Sequence, residues 1–442
     1  MAVAADEDER VAPFDVVIRW ITTAGLLFTS FLVLTPTEDS FRLPKELAAR
    51  TEAILLVAVI AIVWIWRARI QWTKLRWRDA AVVITAAIVL WTAFTALVST
   101  QRVISLRTLI WVVAAAAVFM AIYATARKRS LEAIYALVGA GVANSLLAIL
   151  QEKKIWNPIP ARVHDLAPHL YTSGLIGNPD DLGGFLVVAV IAAAALAVSR
   201  REGRVVSLIG LLIIAAGLGA AQSVAAFLAT AAGFLIMTWM HSRRAFAIAF
   251  VAVIAGAIVA VTLLGSVRMK IRQLPEIADE MRHGDAVLAL ENLSSNRLAP
   301  ALAAWQMFAS RPLVGVGPGC FGPHYFFEAL CAQYKHPSLR KSGTSYFHFG
   351  EAHNDHLEAL AVAGFPAYAL FIAAPIALAL RSRRAIPGED ERKQFARLCG
   401  PALAAAFLVL TLFQFPLELA GVTMALLYVA ALVMQWSNDA AD

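Results

Sequence analysis

The sequence predicts an all-α integral membrane protein of about twelve transmembrane helices, with one large helical loop outside the bilayer. Three observations predict it. Of 442 residues, 60% are hydrophobic and only 16% charged, whereas a soluble domain carries about 25% charged residues. Apolar runs of about 18–22 residues, the length that crosses a hydrocarbon core, recur along the whole chain. The basic residues gather in every second linker between those runs, so the formal charge of +7 reads as a positive-inside pattern and not as a nucleic-acid stripe.

The runs fall at roughly 14–34, 52–66, 80–98, 108–125, 131–150, 182–198, 205–221, 223–240, 245–265, 358–380, 398–415 and 417–435. The first fifteen residues are acidic and lack the basic start and small-residue cleavage site of a signal peptide, so the first run is expected to be retained. Arg67, Arg69, Lys74, Arg76 and Arg78 follow the second run, and Arg127, Lys128 and Arg129 the fourth. Arg200, Arg201 and Arg204 follow the sixth, Arg243 and Arg244 the eighth, and Arg381, Arg383 and Arg384 the tenth. These linkers, and both termini, are expected on the cytoplasmic side. The weakest break, Ala220 to Ser223, leaves the seventh and eighth runs either separate or merged.

Two segments on the other side are long. Gln151 to Asp181 contains YTSGLIGNPDDLGG, in which Asn178-Pro179 initiates a turn and Asp180 or Asp181 caps the next helix. Ser266 to Glu358 has helical patterning. Within it SSNRLAP reads as a helix start capped by Ser294, Ser295 or Asn296, and Leu298, Leu302, Trp305 and Phe308 share one apolar face. GVGPGCFGP, a turn, follows.

The chemistry-bearing stretch is FHFGEAHNDHLEALAVAGFP, 347–366. If Glu351 to Leu360 is helical, His353 and His356 share a face at i, i+3 spacing. Histidine is the side chain best placed to move a proton near neutral pH. A solvated loop with incidental histidines is the alternative. A zinc site is disfavoured because the spacing is not H-E-x-x-H, and the three cysteines, Cys320, Cys331 and Cys399, form no C-x-x-C. Cys320 and Cys331 either pair or remain free. Arg297, beside free helix-start donors, suits a phosphate or pyrophosphate, with a lipid headgroup as the alternative. Arg311 and the 315–319 turn are further candidate anion contacts. Ionisable residues inside the runs are few, which counts against a transporter. Glu418 and Arg19 are placed near interfaces.

Read together, TSGLIGNPDDLGGFL, SNRLAPALAAWQMFASRPLVGVGPGCF and EAHNDHLEALAVAGFP resemble, in order, three segments of the bacterial O-antigen ligase and polymerase family. The resemblance runs from Thr172 to about Pro366. It implies a glycosyltransferase C-like membrane fold, with an N-terminal bundle over 1–150, a ligase-like core over 151–380 that includes the outer loop 266–357, and a two-helix segment over 381–442. It also implies transfer of a glycan from an undecaprenyl-pyrophosphate carrier to an acceptor hydroxyl on the periplasmic side of the bacterial inner membrane, without metal or other cofactor. The acceptor would be lipid A–core, a growing glycan or a protein hydroxyl. A lipid-linked glycan transporter is the non-enzymatic alternative, and no nucleic-acid partner is expected. By position, His353 matches the histidine that activates the acceptor, and Arg297 the arginine that holds the pyrophosphate. Asn178, Asn354 and Glu418 are expected in the cavity lining. Two family arginines are missing: Tyr171 and Val224 stand in their places. The resemblance then leaves more to Arg297, or shifts that role to Arg162, Arg311, Lys335, Arg340 or Lys341.

Overall fold

The computed structural model describes residues 13–35, 39–65, 79–126, 131–159, 171–263, 265–341, 348–384 and 390–438. The described residues are helical throughout, without strands. Each predicted run has a helix: α1 (Pro13–Phe31), α2 (Arg42–Ile65), α3 (Ala80–Leu97), α4 (Arg102–Thr125), α5 (Glu132–Glu152), α6 (Pro179–Ser199), α7 (Arg204–Ala221), α8 (Val224–His241), α9 (Arg243–Leu263), α14 (Asp355–Ser382), α15 (Glu391–Leu410) and α16 (Ala420–Trp436). Nine of them are long and apolar enough by themselves to cross a membrane. The protein is a multi-pass membrane protein. The basic residues of 67–78 and 127–129 lie outside the described residues.

The seventh and eighth runs are separate helices. Gln222 ends α7 in the left-handed conformation, and Ser223 caps α8 by accepting from the Ala226 N–H. α2 begins ten residues before its predicted start, which places Glu52 inside the bundle, buried against Gly25. The bundle therefore holds an ionisable group that the sequence reading put at its edge.

The centre of the bundle is α6, buried along nearly its whole length. GGFLVVAVIAAAALAV is apolar on every face, which suits a helix with neighbours all round, and its Gly and Ala residues let those neighbours approach closely. A Cβ on Gly183, for example, would press on Ser223 and Ala226 of α8. α6 packs on α5, α7, α8, α15 and α16, and its N-terminus, carrying Asp180 and Asp181, opens toward the outer loop.

That loop forms α10 (Gly265–Arg282), α11 (Ala286–Leu293), α12 (Leu298–Ser310), α13 (Phe321–Lys335) and a 3₁₀ turn, Pro337–Lys341. It has its own small core of Ala303, Ala304, Met307, Val316, Cys320, Phe321 and Tyr325, joined to Ala361 of α14. The Leu298, Leu302, Trp305 and Phe308 face, expected along the interface or against the bundle, turns away from this core, and the expected cap changes. The inward face of α12 is Ala299, Pro300, Ala303, Ala304 and Met307, while Trp305 is 54% exposed; small residues win the inside because α13 and α14 lie close against it. The α12 cap is not Ser294, Ser295 or Asn296. Glu291 of α11 reaches over to accept from the Leu298 and Ala299 N–H groups, and Ser295 and Asn296 take left-handed backbone angles to make that corner.

The GVGPG turn is locked into a break in α14. Gly364 leaves the helical conformation at φ 76°, and Pro366 brings no N–H to the ladder. The carbonyls of Ala361 and Val362, left without helical donors, accept from Val316 (3.0 Å) and Gly317 (2.9 Å), and Phe365 donates to the Pro312 carbonyl at 2.8 Å. Only glycine fits this contact: a Cβ on Gly315 would strike the Val362 backbone, and one on Gly364 the Leu313 carbonyl. The Val316 and Gly317 donors are thus committed to holding the loop on the bundle. Cys320 and Cys331 are both free; Cys320 is buried against Ser99 of the α3–α4 connection and Ser105 in the first turn of α4.

Candidate functional site

His353 does not belong to α14. The helix starts at Asp355, capped by Asn354, whose side-chain oxygen accepts from the Leu357 N–H. His353 therefore has φ 54°, a left-handed conformation rare for a residue with a side chain. Such strain persists only where the surroundings over-determine it, and here they do. The Glu358 carboxylate accepts from the Ala352 N–H (3.0 Å), the Asn354 amide donates to the Leu412 carbonyl (3.0 Å), and the Asp355 N–H donates to the Thr411 carbonyl (2.9 Å). The same corner separates the two histidines. His356 points back into the bundle toward the Leu408 carbonyl and the Thr411 hydroxyl, so the shared face expected for a continuous helix is absent.

The His353 ring stands edge-on to Phe349 (5.4 Å between centroids) and Phe415 (4.8 Å). Among the described residues it makes no hydrogen bond. Burial, followed by the positive charges of Arg297 and Arg42, pushes it down to about 4, with Asp180 pulling the other way. At neutral pH the imidazole is uncharged, with a lone pair to accept a proton.

Arg297 immediately precedes α12, and its guanidinium bridges two elements. It donates through Nη1 to the Phe413 carbonyl (2.6 Å) and through Nη2 to Asp180 (3.3 Å). Asp180 is not the cap of α6; Asn178 is, accepting from the Asp181 N–H at 2.8 Å. That frees both aspartates for ion pairing. Asp181, buried, lies 3.9 Å from Arg42, which also donates to Glu351 at 3.1 Å. The Arg42 guanidinium stacks over the opposite partner of His353, the Phe415 ring, at 5.1 Å. Lys45, one turn further along α2, ties the Leu32 and Leu175 carbonyls together.

Arg42 and residues 411–417, the connection leading to the expected Glu418, are the parts of the site that the sequence reading missed. Phe413 gives its carbonyl to Arg297, Gln414 its side chain to Asp180, Phe415 its ring to both His353 and Arg42, and Leu417 its N–H to Asp355. The apolar run 398–415 absorbed the first three; only the Pro416 after it marked the break. Glu418, in the 3₁₀ turn Pro416–Glu418, is exposed. Surrounding protein and the negative charge of Glu351 push its carboxyl up, against the pull of Arg42.

Arg311 is not with Arg297. It closes the other end of the thirteen-residue α12, about 20 Å away along the axis, where it faces His324 and lowers its pKa after burial has done so. Lys335 ends α13, fourteen residues beyond its start, and Arg340 is exposed in the following turn. Arg162 lies outside the described residues. Val224, in place of a family arginine, is 46% exposed. Among the described residues no group of three or more His, Cys, Asp or Glu side chains is arranged to hold a metal ion.

Residues 209–372 match the family model described as O-antigen ligase. That segment, 164 of the 442 residues, is similar to the O-antigen ligase family. No curated protein matches the chain. The matched segment holds Ser223, Arg297 and His353, whereas Arg42, Asp180 and the 411–418 connection lie outside it. The match supports a membrane glycan-transfer function in cell-surface polysaccharide synthesis.

Proposed function

We propose that this protein transfers a glycan from an undecaprenyl-pyrophosphate carrier to an acceptor hydroxyl, on the periplasmic face of a bacterial inner membrane. The observation that carries the proposal is the uncharged His353 ring, without a hydrogen bond among the described residues, beside the Arg297 guanidinium, both inside the segment that matches the O-antigen ligase family model. His353 takes the proton of the acceptor hydroxyl as its oxygen bonds to the anomeric carbon. The bond from that carbon to the phosphate oxygen breaks, and the carrier diphosphate leaves with the electron pair. Arg297 meets the charge that develops on it. A diphosphate is already a good leaving group, so a base and a clamp suffice.

The acceptor class, whether lipid A–core, a growing glycan or a protein hydroxyl, is read from surface glycans of a deletion strain. Carrier-linked long chains mark a ligase, single repeat units a polymerase, and unglycosylated protein the third activity. Complementation with His353→Ala is expected to leave the deletion phenotype in place while the protein accumulates in the membrane. Full complementation would overturn the proposal, and a His353-independent phenotype with glycan retained on the cytoplasmic side would mark a transporter.

A further inference from the structure

We propose that Asp180 is the positioning residue of the diphosphate clamp, holding the Arg297 guanidinium in its binding orientation through a relay with Ser223 and Gln414. The inference rests on the reading of Arg297 given above and deepens it.

Asp180 uses both carboxylate oxygens. Oδ2 accepts from Arg297 Nη2 at 3.3 Å; Oδ1 accepts from the Ser223 hydroxyl at 2.6 Å and from the Gln414 amide at 3.2 Å. The Gln414 amide also donates to the Ser223 oxygen at 3.0 Å, closing a triangle behind the carboxylate. Ser223 and Gln414 are buried, while the Arg297 and Asp180 side chains keep 30% and 46% of their surface open. The relay is thus anchored in the bundle at its back and open to the cleft at its front. It joins the first turn of α6, the cap of α8 and the α15–α16 connection to one guanidinium.

The backbone side of Arg297 is fixed as firmly. Ser294 accepts from its N–H at 3.2 Å, and Ser295 and Asn296 hold left-handed angles just before it. A guanidinium has five donors in a rigid fork. Two are spent on Phe413 and Asp180, and the rest remain for a ligand. An ion pair this exposed contributes little to folding stability, so stability alone is a weak account of the three hydrogen bonds that orient the carboxylate. A pre-oriented fork is an account, because a diphosphate is bound bidentately only when the fork already faces it. With no arginine at 224, orientation of Arg297 bears more of the donor affinity.

The test is binding of undecaprenyl diphosphate to the purified full-length protein in lipid nanodiscs, with glycan transfer measured in parallel. Asp180→Ala is expected to raise the Kd for undecaprenyl diphosphate about tenfold or more. Asp180→Asn, which keeps the shape and one acceptor but turns the other oxygen into a donor, should recover part of that loss, and Ser223→Ala and Gln414→Ala should cost less than Asp180→Ala. Combined with Arg297→Ala, Asp180→Ala should cost nothing further, since its effect passes through that side chain. An unchanged Kd, equal losses in Asp180→Asn and Asp180→Ala, or additive losses with Arg297→Ala would overturn the proposal. A tighter Kd would do so too, because it would show Asp180 competing with the donor. If Arg297→Ala itself binds and transfers normally, the clamp reading and this inference fall together. If only the Asp180 variants behave as wild type, the clamp stands and the inference alone fails.

Discussion

The two ends of α14 carry ionic clusters built to opposite specifications. At its last turn, Arg381 meets the Asp79 carboxylate with both Nη atoms, and the Ala81 N–H, the Tyr123 hydroxyl and the Asn438 amide complete the shell. Both carboxylate oxygens are filled, and the Arg381 and Asp79 side chains are only 18% and 10% exposed. Burial pushes the Asp79 carboxyl up, but the hydrogen bonds from Arg381 and Tyr123 outweigh it and hold it down at about 2. At the first turn, about 40 Å away along the helix, the cluster is left open. Among the described residues the His353 ring has no hydrogen bond, Glu418 is exposed, and Arg297 and Arg42 keep 30% and 36% of their side chains accessible. A saturated cluster fastens helix ends together; an unsaturated one has capacity for a ligand.

The contrast can be broken from either end. Arg297→Ala should lower glycan transfer about 10²–10³-fold, the usual cost of removing one donor to a developing charge, with little change in the thermal unfolding of the purified protein. Arg381→Ala should do the reverse. Leaving the Asp79 carboxylate partly unpaired is expected to cost about 2 kcal/mol, seen as a lower Tm in detergent, while protein that stays folded keeps its transfer activity. If Arg381→Ala abolished transfer without moving the Tm, the two clusters would not differ in kind.

The pH profile gives a smaller effect with a definite sign. His353 is the base only when neutral, and its pKa is depressed from 6.5 to about 4. Transfer should therefore stay near its plateau as pH falls through 6 and decline only toward pH 4–5. Removing one neighbouring charge with Arg42→Gln should move that acid limb to higher pH. A wild-type limb near 6.5 would contradict the electrostatics of the site. The smallest effect is expected for Glu418→Gln. The Glu418 carboxylate makes no hydrogen bond among the described residues, so Tm should hold, and transfer should change within about threefold.

The membrane fold was legible because its signals are long and local: apolar runs of spanning length, and arginines spaced by alternate linkers. The candidate site was legible only in part. His353 and Arg297 stand in segments with recognisable residue order, and GNPDD marked a helix start. Three things were not readable. The left-handed corner at His353 depends on the Thr411 and Leu412 carbonyls just after α15, far away in sequence. The cation at Arg42 sits in a helix start whose ion-pair partners, Asp181 and Glu351, are more than a hundred residues distant. The 411–417 stretch works through carbonyls, a ring and one uncharged amide, Gln414, so no charged side chain announced it, and only Glu418 at its end was picked out. The GVGPG turn was ambiguous for a related reason: its glycines permit anion binding or close backbone packing, and only the break in α14 decides for packing.

The central claim is that the open cluster does chemistry through His353. The most direct measurement is the rate of glycan transfer by His353→Ala in proteoliposomes, compared with wild type at equal amounts of folded protein. A loss of about 10²–10⁴-fold, the range for removing a general base, with an unchanged Tm is the predicted result. Transfer at the wild-type rate would contradict it.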